Sequence, residues 1–139
     1  MKIASVLRLI IITTALIASG VALAKSLPRY GALVYSNLCV EPQSGDIGGT
    51  RITLLRFADG DKVIYEYTEG AVNWPLFAQR GQVDSKTGAI GFKVQTGSET
   101  LSFEGKFTDA ALTGAFGGKS ESISLPRVAD LRRPMPNCK

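Results

Sequence analysis

Three aromatic side chains with polar tips are the residues best suited to bind a ligand. Tyr65 and Tyr67 alternate along one predicted strand, and Trp74, the only tryptophan, precedes Pro75 in the next. Pairing of these strands would make Trp74 a cross-strand neighbour of the tyrosines. Aromatic rings that carry an O–H or N–H can stack on a ligand and orient it by hydrogen bonding. The spacing therefore predicts a ligand-binding site at Tyr65, Tyr67 and Trp74, with ordinary sheet packing as the alternative.

The titratable residues form no pattern that supports catalysis. The chain has no histidine, so the most common general base and metal ligand is missing. Asp59 and Asp61 form one sequence pair of carboxylates, and Glu66 and Glu69 form another. Neither pair is expected to be buried, as a carboxyl group tuned for proton transfer must be. Zinc, phosphate-loop and dinucleotide motifs are also absent from the sequence. We therefore expect no enzyme activity, no cofactor and no metal site.

A glycine-rich stretch at residues 42–49 is the most distinctive loop of the sequence. Together with Glu41 it contains two carboxylates and three glycines, close to Cys39. It could bind a partner or, weakly, a cation, although its acidic residues lack the alternate spacing of a calcium loop. The other interpretation is a long turn whose glycines adopt positive φ angles.

The only two cysteines, Cys39 and Cys138, are far apart in the sequence. No Cys-x-x-Cys spacing points to redox chemistry or to a metal. An even number of cysteines in an exported chain predicts a disulfide, which here would enclose most of the domain. The bridge would also hold the residues around Pro134 and Pro136, which we expect to be extended.

The first 24 residues have the layout of a secretory signal peptide. Lys2 and Arg8 are basic, residues 9–18 are apolar, and Ala22 and Ala24 form a small-x-small cleavage pattern. An uncleaved anchor is the alternative, but the apolar run is shorter than the roughly 20 residues that span a bilayer. We expect cleavage, export to the periplasm or the medium, no membrane span afterwards, and one domain at residues 25–139. Loss of Lys2 and Arg8 would lower the net charge from +4 to +2, which does not favour a nucleic-acid partner.

The rest of the chain alternates apolar and polar residues with a period of two, which is typical of half-buried antiparallel strands. About eight strands are predicted, at residues 30–41, 51–57, 62–68, 72–83, 90–96, 101–107, 112–116 and 123–125. We expect the fourth to break at Pro75. Turn residues such as Asp59 and Gly60, or Gly97 and Ser98, separate the strands.

Short sequential links between eight strands favour a small antiparallel up-and-down β-barrel, with a β-sandwich as the alternative. Four phenylalanines, Phe92, Phe103, Phe107 and Phe116, are expected to fill its interior. The strand count and order resemble those of lipocalin-type and avidin-type barrels by analogy. The segment Ala111-Leu112-Thr113-Gly114-Ala115-Phe116 is similar to an avidin-type strand of the Leu-Thr-Gly-x-aromatic kind. Avidin-type sites use several tryptophans, so the resemblance does not imply biotin binding.

These features predict an exported, monomeric, non-catalytic binding module that takes an unknown small ligand or an envelope component at the barrel mouth. The alternative is a protein-binding inhibitor, or envelope interaction protein, that acts through loops such as residues 42–49. The interior distinguishes the two hypotheses. A ligand needs a cavity of roughly 300 Å3 or more, whereas a barrel filled by the four phenylalanines leaves only the outer surface.

Overall fold

The alternating segments of the sequence fold into β-strands. The computed structural model describes residues 28–118, 120–129 and 134–139, and in these residues it contains no helix. The predicted signal peptide at residues 1–24 lies outside the described residues. The strands are β1 (Gly31–Ser36), β2 (Cys39–Val40), β3 (Ile47–Gly48), β4 (Thr50–Arg56), β5 (Lys62–Glu69), β6 (Val72–Phe77), β7 (Arg80–Asp84), β8 (Ala89–Thr96), β9 (Glu99–Phe107), β10 (Ala111–Phe116) and β11 (Ser122–Val128). The described residues thus include no helix that could cross a membrane.

In the described part of the chain, nine strands form one antiparallel sheet that curls into a half-barrel. Their order is β6-β5-β4-β1-β11-β10-β9-β8-β7, while β2 and β3 form a separate hairpin. The first strand, β1, lies between β4 and β11, with Val34 paired to both Thr53 and Val128. This pairing of the first strand with the last one confirms the expected all-β, antiparallel architecture of a small barrel or sandwich.

The two edge strands, β6 and β7, are consecutive in the chain. The Ala78 amide donates to the Val63 carbonyl (2.9 Å), and the next amide, that of Gln79, donates to the Lys93 carbonyl (2.9 Å). The chain therefore leaves β5 and joins β8 within two residues. The predicted break at Pro75 is wrong, because Pro75 lies inside β6 and the strand ends at Phe77.

The structure contains a hairpin where one strand and a loop were expected. Residues 30–41 divide into β1 and β2, and β3 falls within the predicted loop at residues 42–49. Asn37 and Thr50, which flank the β2–β3 hairpin, are hydrogen-bonded to each other. The Asn37 amide donates to the Thr50 carbonyl (3.1 Å), and the Asn37 side-chain oxygen accepts from the Thr50 amide (2.7 Å). These bonds connect residues 13 positions apart, which strand alternation does not reveal.

The concave face of the sheet is filled by aromatic rings. Phe103 lies with its ring centroid 5.0 Å from Phe92 and 5.1 Å from Phe116, and Tyr65 lies 5.2 Å from Phe116. Phe107 is also fully buried. The four predicted core phenylalanines are therefore confirmed as interior residues, and their spacing is that of closely packed aromatic pairs.

Two glycines make room for this aromatic cluster. Gly105 and Gly114 are paired across β9 and β10, and the Phe103 ring lies over both of them. A Cβ at Gly105 would lie 2.9 Å from Cε1 of Phe103, and a Cβ at Gly114 would overlap the same ring and the Glu104 carbonyl. The glycines therefore shape the core by omitting side chains.

Candidate binding site

The predicted aromatic residues lie on neighbouring strands, as expected. Tyr65 pairs with Leu76, and Tyr67 pairs with Trp74, across β5 and β6. The rings of Tyr65 and Tyr67 are stacked, with their centroids 6.2 Å apart. The structure therefore brings the three predicted residues together on one face of two strands.

Their exposure divides them between two roles. Tyr65 is only 7% exposed and belongs to the aromatic core, where burial, followed by the neighbouring Tyr67, raises its pKa. Tyr67 is partly buried against that core, whereas Trp74 is 48% exposed on the edge strand. Trp74 and the rim of Tyr67 are thus the part of the predicted site that a ligand could touch.

The half-barrel has two different ends. The hairpin end comprises the β2–β3 hairpin and the β5–β6, β8–β9 and β10–β11 turns. The Ile47 amide donates to the Gly70 carbonyl (2.8 Å), which joins the hairpin to the β5–β6 turn. The arginine end comprises the β4–β5, β7–β8 and β9–β10 turns, together with Arg56 and Arg127. Trp74 lies toward the hairpin end, because it pairs with Tyr67, which in turn pairs with Thr50.

Buried polar bonds close the arginine end. Arg56 lies on the inner face of β4, and its guanidinium donates to Asp61 Oδ1 (3.1 Å), Ser85 Oγ (2.5 Å) and the Pro28 carbonyl (3.4 Å). The side chain of Arg56 is 9% exposed. Because a buried guanidinium needs such partners, this network ties three separate segments together.

Tyr35 reaches the same end from β1. Its hydroxyl donates to the Thr108 carbonyl (2.7 Å) beside the ion pair between Arg127 and Asp109. Burial raises the pKa of Tyr35 to about 12; the Arg127 charge opposes the shift and the Asp109 charge adds to it. The hydroxyl is therefore a neutral structural donor and not a proton-transfer group at neutral pH.

One carboxylate of each sequence pair is held by an arginine. Asp61 binds Arg56, and Glu66 accepts from two nitrogens of Arg51 on the outer face of the sheet. The expectation that neither pair is buried is wrong for Glu66, which is 7% exposed, because the Arg51 guanidinium compensates its charge. Asp84 caps its own turn, since the Lys86 amide and then the Thr87 hydroxyl donate to it and lower its pKa. Within the described residues, no group of three or more acidic, cysteine or histidine residues is placed to hold a metal ion.

The predicted disulfide between Cys39 and Cys138 is present and attaches the distal segment (residues 134–139) to the hairpin. The Val40 amide donates to the Pro136 carbonyl (2.8 Å), and the Cys138 amide donates to the Val40 carbonyl (2.9 Å). The distal segment therefore lies along β2 and pairs with it through a single parallel bridge, between Val40 and Asn137. A disulfide of this kind is compatible with an oxidising, exported environment.

A groove of about 540 Å3 lies between the distal segment and the outer face of β1 and β11. Arg51 and Lys139 are its charged lining residues. Its apolar lining residues are Leu38, Pro126, Val128, Pro134, Met135 and Pro136. Sequence reasoning missed this site, although the predicted disulfide and the extended proline segment were its two available signals.

Comparison with protein families, with curated proteins and with solved structures finds no match for this chain.

Proposed function

We propose that this protein is an exported, non-catalytic binding protein that recognises another protein of the cell envelope with the outer surface of its hairpin end. The filled interior is the observation that carries the proposal. Phe92, Phe103 and Phe116 pack within 6.5 Å of one another where a barrel ligand would lie. Recognition is therefore assigned to the surface, and the loop-mediated hypothesis is favoured over a ligand in the barrel.

Exposed apolar side chains on β6 support a surface for a macromolecular partner. Val72 and Trp74 are both large, exposed and two residues apart, so they share one face of β6 near the β5–β6 turn. Single exposed apolar residues are ordinary, but two neighbours on one face of an edge strand form a local concentration. Tryptophan is also enriched among the residues that dominate binding energy at protein interfaces.

The proposal is non-catalytic because, among the described residues, the carboxylates that are not exposed are held by arginines. Asp61 and Asp109 are each paired with an arginine, and the sequence contains no histidine. Export is supported by the leader-like pattern at residues 1–24 and by the Cys39–Cys138 bridge. Periplasm and extracellular medium both provide the oxidising conditions that such a bridge needs.

Co-purification with matched aromatic variants tests the proposal. Tagged wild-type protein, Trp74→Ser and Phe57→Ser would be isolated from the envelope of the host, and the bound proteins quantified by mass spectrometry. Phe57 is 50% exposed at the arginine end, so it matches Trp74 in exposure but not in position. We expect a partner that wild type and Phe57→Ser retain and Trp74→Ser loses. Identical protein sets in all three samples would refute the proposal.

The groove beside the distal segment supports a second candidate, the binding of a small ligand. Its volume lies within the range of small-molecule sites, and most of its lining is apolar. Val128→Trp would fill the groove, whereas Thr113→Trp adds the same ring to the exposed outer face of β10. Native mass spectrometry should show a bound small molecule that only Val128→Trp loses. Wild type without a bound molecule would count against this candidate.

A further inference from the structure

The groove between the distal segment and the outer face of β1 and β11 has a largely apolar lining. Leu38 is buried there and Val128 is partly buried, while Pro134, Met135 and Pro136 of the distal segment are exposed. Met135 is 38% exposed, and a flexible thioether side chain adapts to the shape of a bound molecule. Covering these apolar atoms would remove them from water, so the groove favours a ligand with an apolar body.

The charged side chains that line the groove are both cations. Among the described lining residues these are Arg51 on β4 and Lys139 after Cys138, and none of the described lining residues is acidic. In sequence, the link between Val128 and Pro134 contains Asp130, Arg132 and Arg133, so it adds no net negative charge. A ligand with a negatively charged group is therefore favoured over a cation.

Arg51 is held in place by the neighbouring strand and still has a donor to offer. It pairs with Glu66 across β4 and β5, and its Nε and Nη2 atoms both donate to the Glu66 carboxylate. The side chain of Arg51 is 19% exposed, so part of the guanidinium remains accessible. Within the described residues its third nitrogen, Nη1, makes no hydrogen bond. Arg51 can therefore donate to an oxygen of a ligand while it stays bound to Glu66.

From these observations we infer that the groove binds a small amphipathic molecule with an apolar body and a single carboxylate group. The inference rests on the small-ligand candidate of the proposed function and specifies its ligand. Because Glu66 balances Arg51, the lining side chains keep the positive charge of Lys139, which forms no ion pair within the described residues. At neutral pH a carboxylate carries a single negative charge, whereas a phosphate monoester carries about two.

Isothermal titration calorimetry with simple amphiphiles tests the inference. The probes are decanoate, decanol, decyl phosphate and decyltrimethylammonium, each below its micelle-forming concentration, at neutral pH and low ionic strength. We expect decanoate to bind at a single site, and octanoate to bind roughly three- to tenfold more weakly because it buries two fewer methylene groups. The other three decyl probes should bind more weakly than decanoate, the uncharged and cationic ones by about tenfold or more. Absence of decanoate binding, or equal or tighter binding of any of these three probes, would overturn the inference.

Charge variants test the contact with the carboxylate. Lys139→Gln removes a cation from the lining, whereas Lys93→Gln removes an exposed cation from the outer face of β8. Arg51→Gln combined with Glu66→Gln removes the guanidinium without leaving a buried carboxylate unbalanced. We expect decanoate to bind roughly threefold more weakly to Lys139→Gln and about tenfold more weakly to the double variant. Lys93→Gln should bind decanoate as wild type does, and wild-type affinity in all three variants would overturn the inference.

The tryptophan variants place the ligand in the groove. Val128→Trp should abolish decanoate binding and Thr113→Trp should leave it unchanged; decanoate binding to a folded Val128→Trp variant would overturn the inference. Should Val128→Trp not fold, the variant at the exposed Lys139 still decides the outcome. If decanoate fails to bind while native mass spectrometry still shows a molecule that only Val128→Trp loses, the groove remains a ligand site and only the carboxylate class is rejected.

Discussion

Single glycines in the sheet determine how the aromatic core packs. The Phe103 ring occupies the space above Gly105 and Gly114, and the backbone of the neighbouring strand approaches both residues closely. By contrast, a Cβ at Gly91 on the outer face of β8 would lie 3.7 Å from its nearest neighbour, the Phe103 carbonyl, at ordinary contact distance. Glycine is therefore required at some strand positions and replaceable at others.

Gly114→Ala tests this role of glycine. The new methyl group would overlap the Phe103 ring and the Glu104 carbonyl, so we expect the free energy of unfolding to fall by about 2 kcal/mol or more. Urea unfolding followed by circular dichroism measures it. Gly91→Ala is the matched control and should change stability little. Equal effects of the two substitutions would contradict the account of the core.

The raised pKa of Tyr35 predicts that the protein loses stability at alkaline pH. Its pKa is about 12 in the folded protein, against an ordinary tyrosine value of 10.0, so the folded state holds the phenolic proton more tightly than the unfolded state does. This contribution to stability is complete below about pH 10 and is lost as the pH rises toward 12. Urea unfolding across this range should show a smaller decline in Tyr35→Phe than in wild type. Parallel declines would mean that burial does not hold the proton.

At the scale of strands, Pro75 protects an exposed edge. Since the Ala78 amide bonds to the Val63 carbonyl, the even-numbered residues of β6 face β5, and Asn73, Pro75 and Phe77 turn their backbone groups to the free edge. Proline at the central position removes a donor from that edge without breaking a bond to β5. Its ring would also obstruct an added strand, and proline is a common protection of edge strands.

Pro75→Val should convert this edge into a site of self-association. Valine restores the missing N–H and favours the extended conformation, and no charged residue lies between Gly70 and Gln79 to oppose pairing. We expect dimers or larger species in light scattering coupled to size-exclusion chromatography. Pro42→Val makes the same change in an exposed turn and serves as the control. An unchanged mass in both variants would remove the protective role of Pro75.

Strand positions were predictable from the sequence where they depend on local alternation. Residues 62–68 and 51–57 were expected as strands and correspond to β5 and β4 within one residue. The switch at Ala78 and Gln79 was not predictable, because it depends on carbonyls of β5 and β8 that are distant in sequence. The β2–β3 hairpin was missed for the same reason, since Asn37 and Thr50 define it together.

For the whole molecule, the disulfide joins the distal segment to the rest of the fold. The bridge spans 99 residues, and two backbone hydrogen bonds with Val40 also join the segment to β2. Cys138→Ser should lower the free energy of unfolding by about 4 to 5 kcal/mol in the loop-entropy description. Thermal unfolding in oxidising buffer measures the change. A reducing agent should destabilise wild type and leave Cys138→Ser unaffected; equal melting temperatures in oxidising buffer would contradict this account.

The candidate site was predictable in part. The aromatic pairing of Tyr67 with Trp74 follows from neighbouring strands, and alternation places Phe92 and Phe103 inside. The local pattern does not predict which of these aromatic residues is buried. Tyr65 is buried and Trp74 is exposed because the sheet ends at β6, the strand that carries Trp74. The groove depends on how the distal segment lies against β1 and β11.

Recognition at the surface requires that the aromatic core leave no cavity for a ligand inside the half-barrel. Xenon occupies apolar cavities in protein crystals, so crystals of the protein purified from its own host and exposed to xenon pressure provide the test. The account predicts no xenon and no co-purified molecule among Tyr65, Phe92, Phe103 and Phe116. Density for xenon or for a ligand between these rings would contradict it and return the binding site to the interior of the half-barrel.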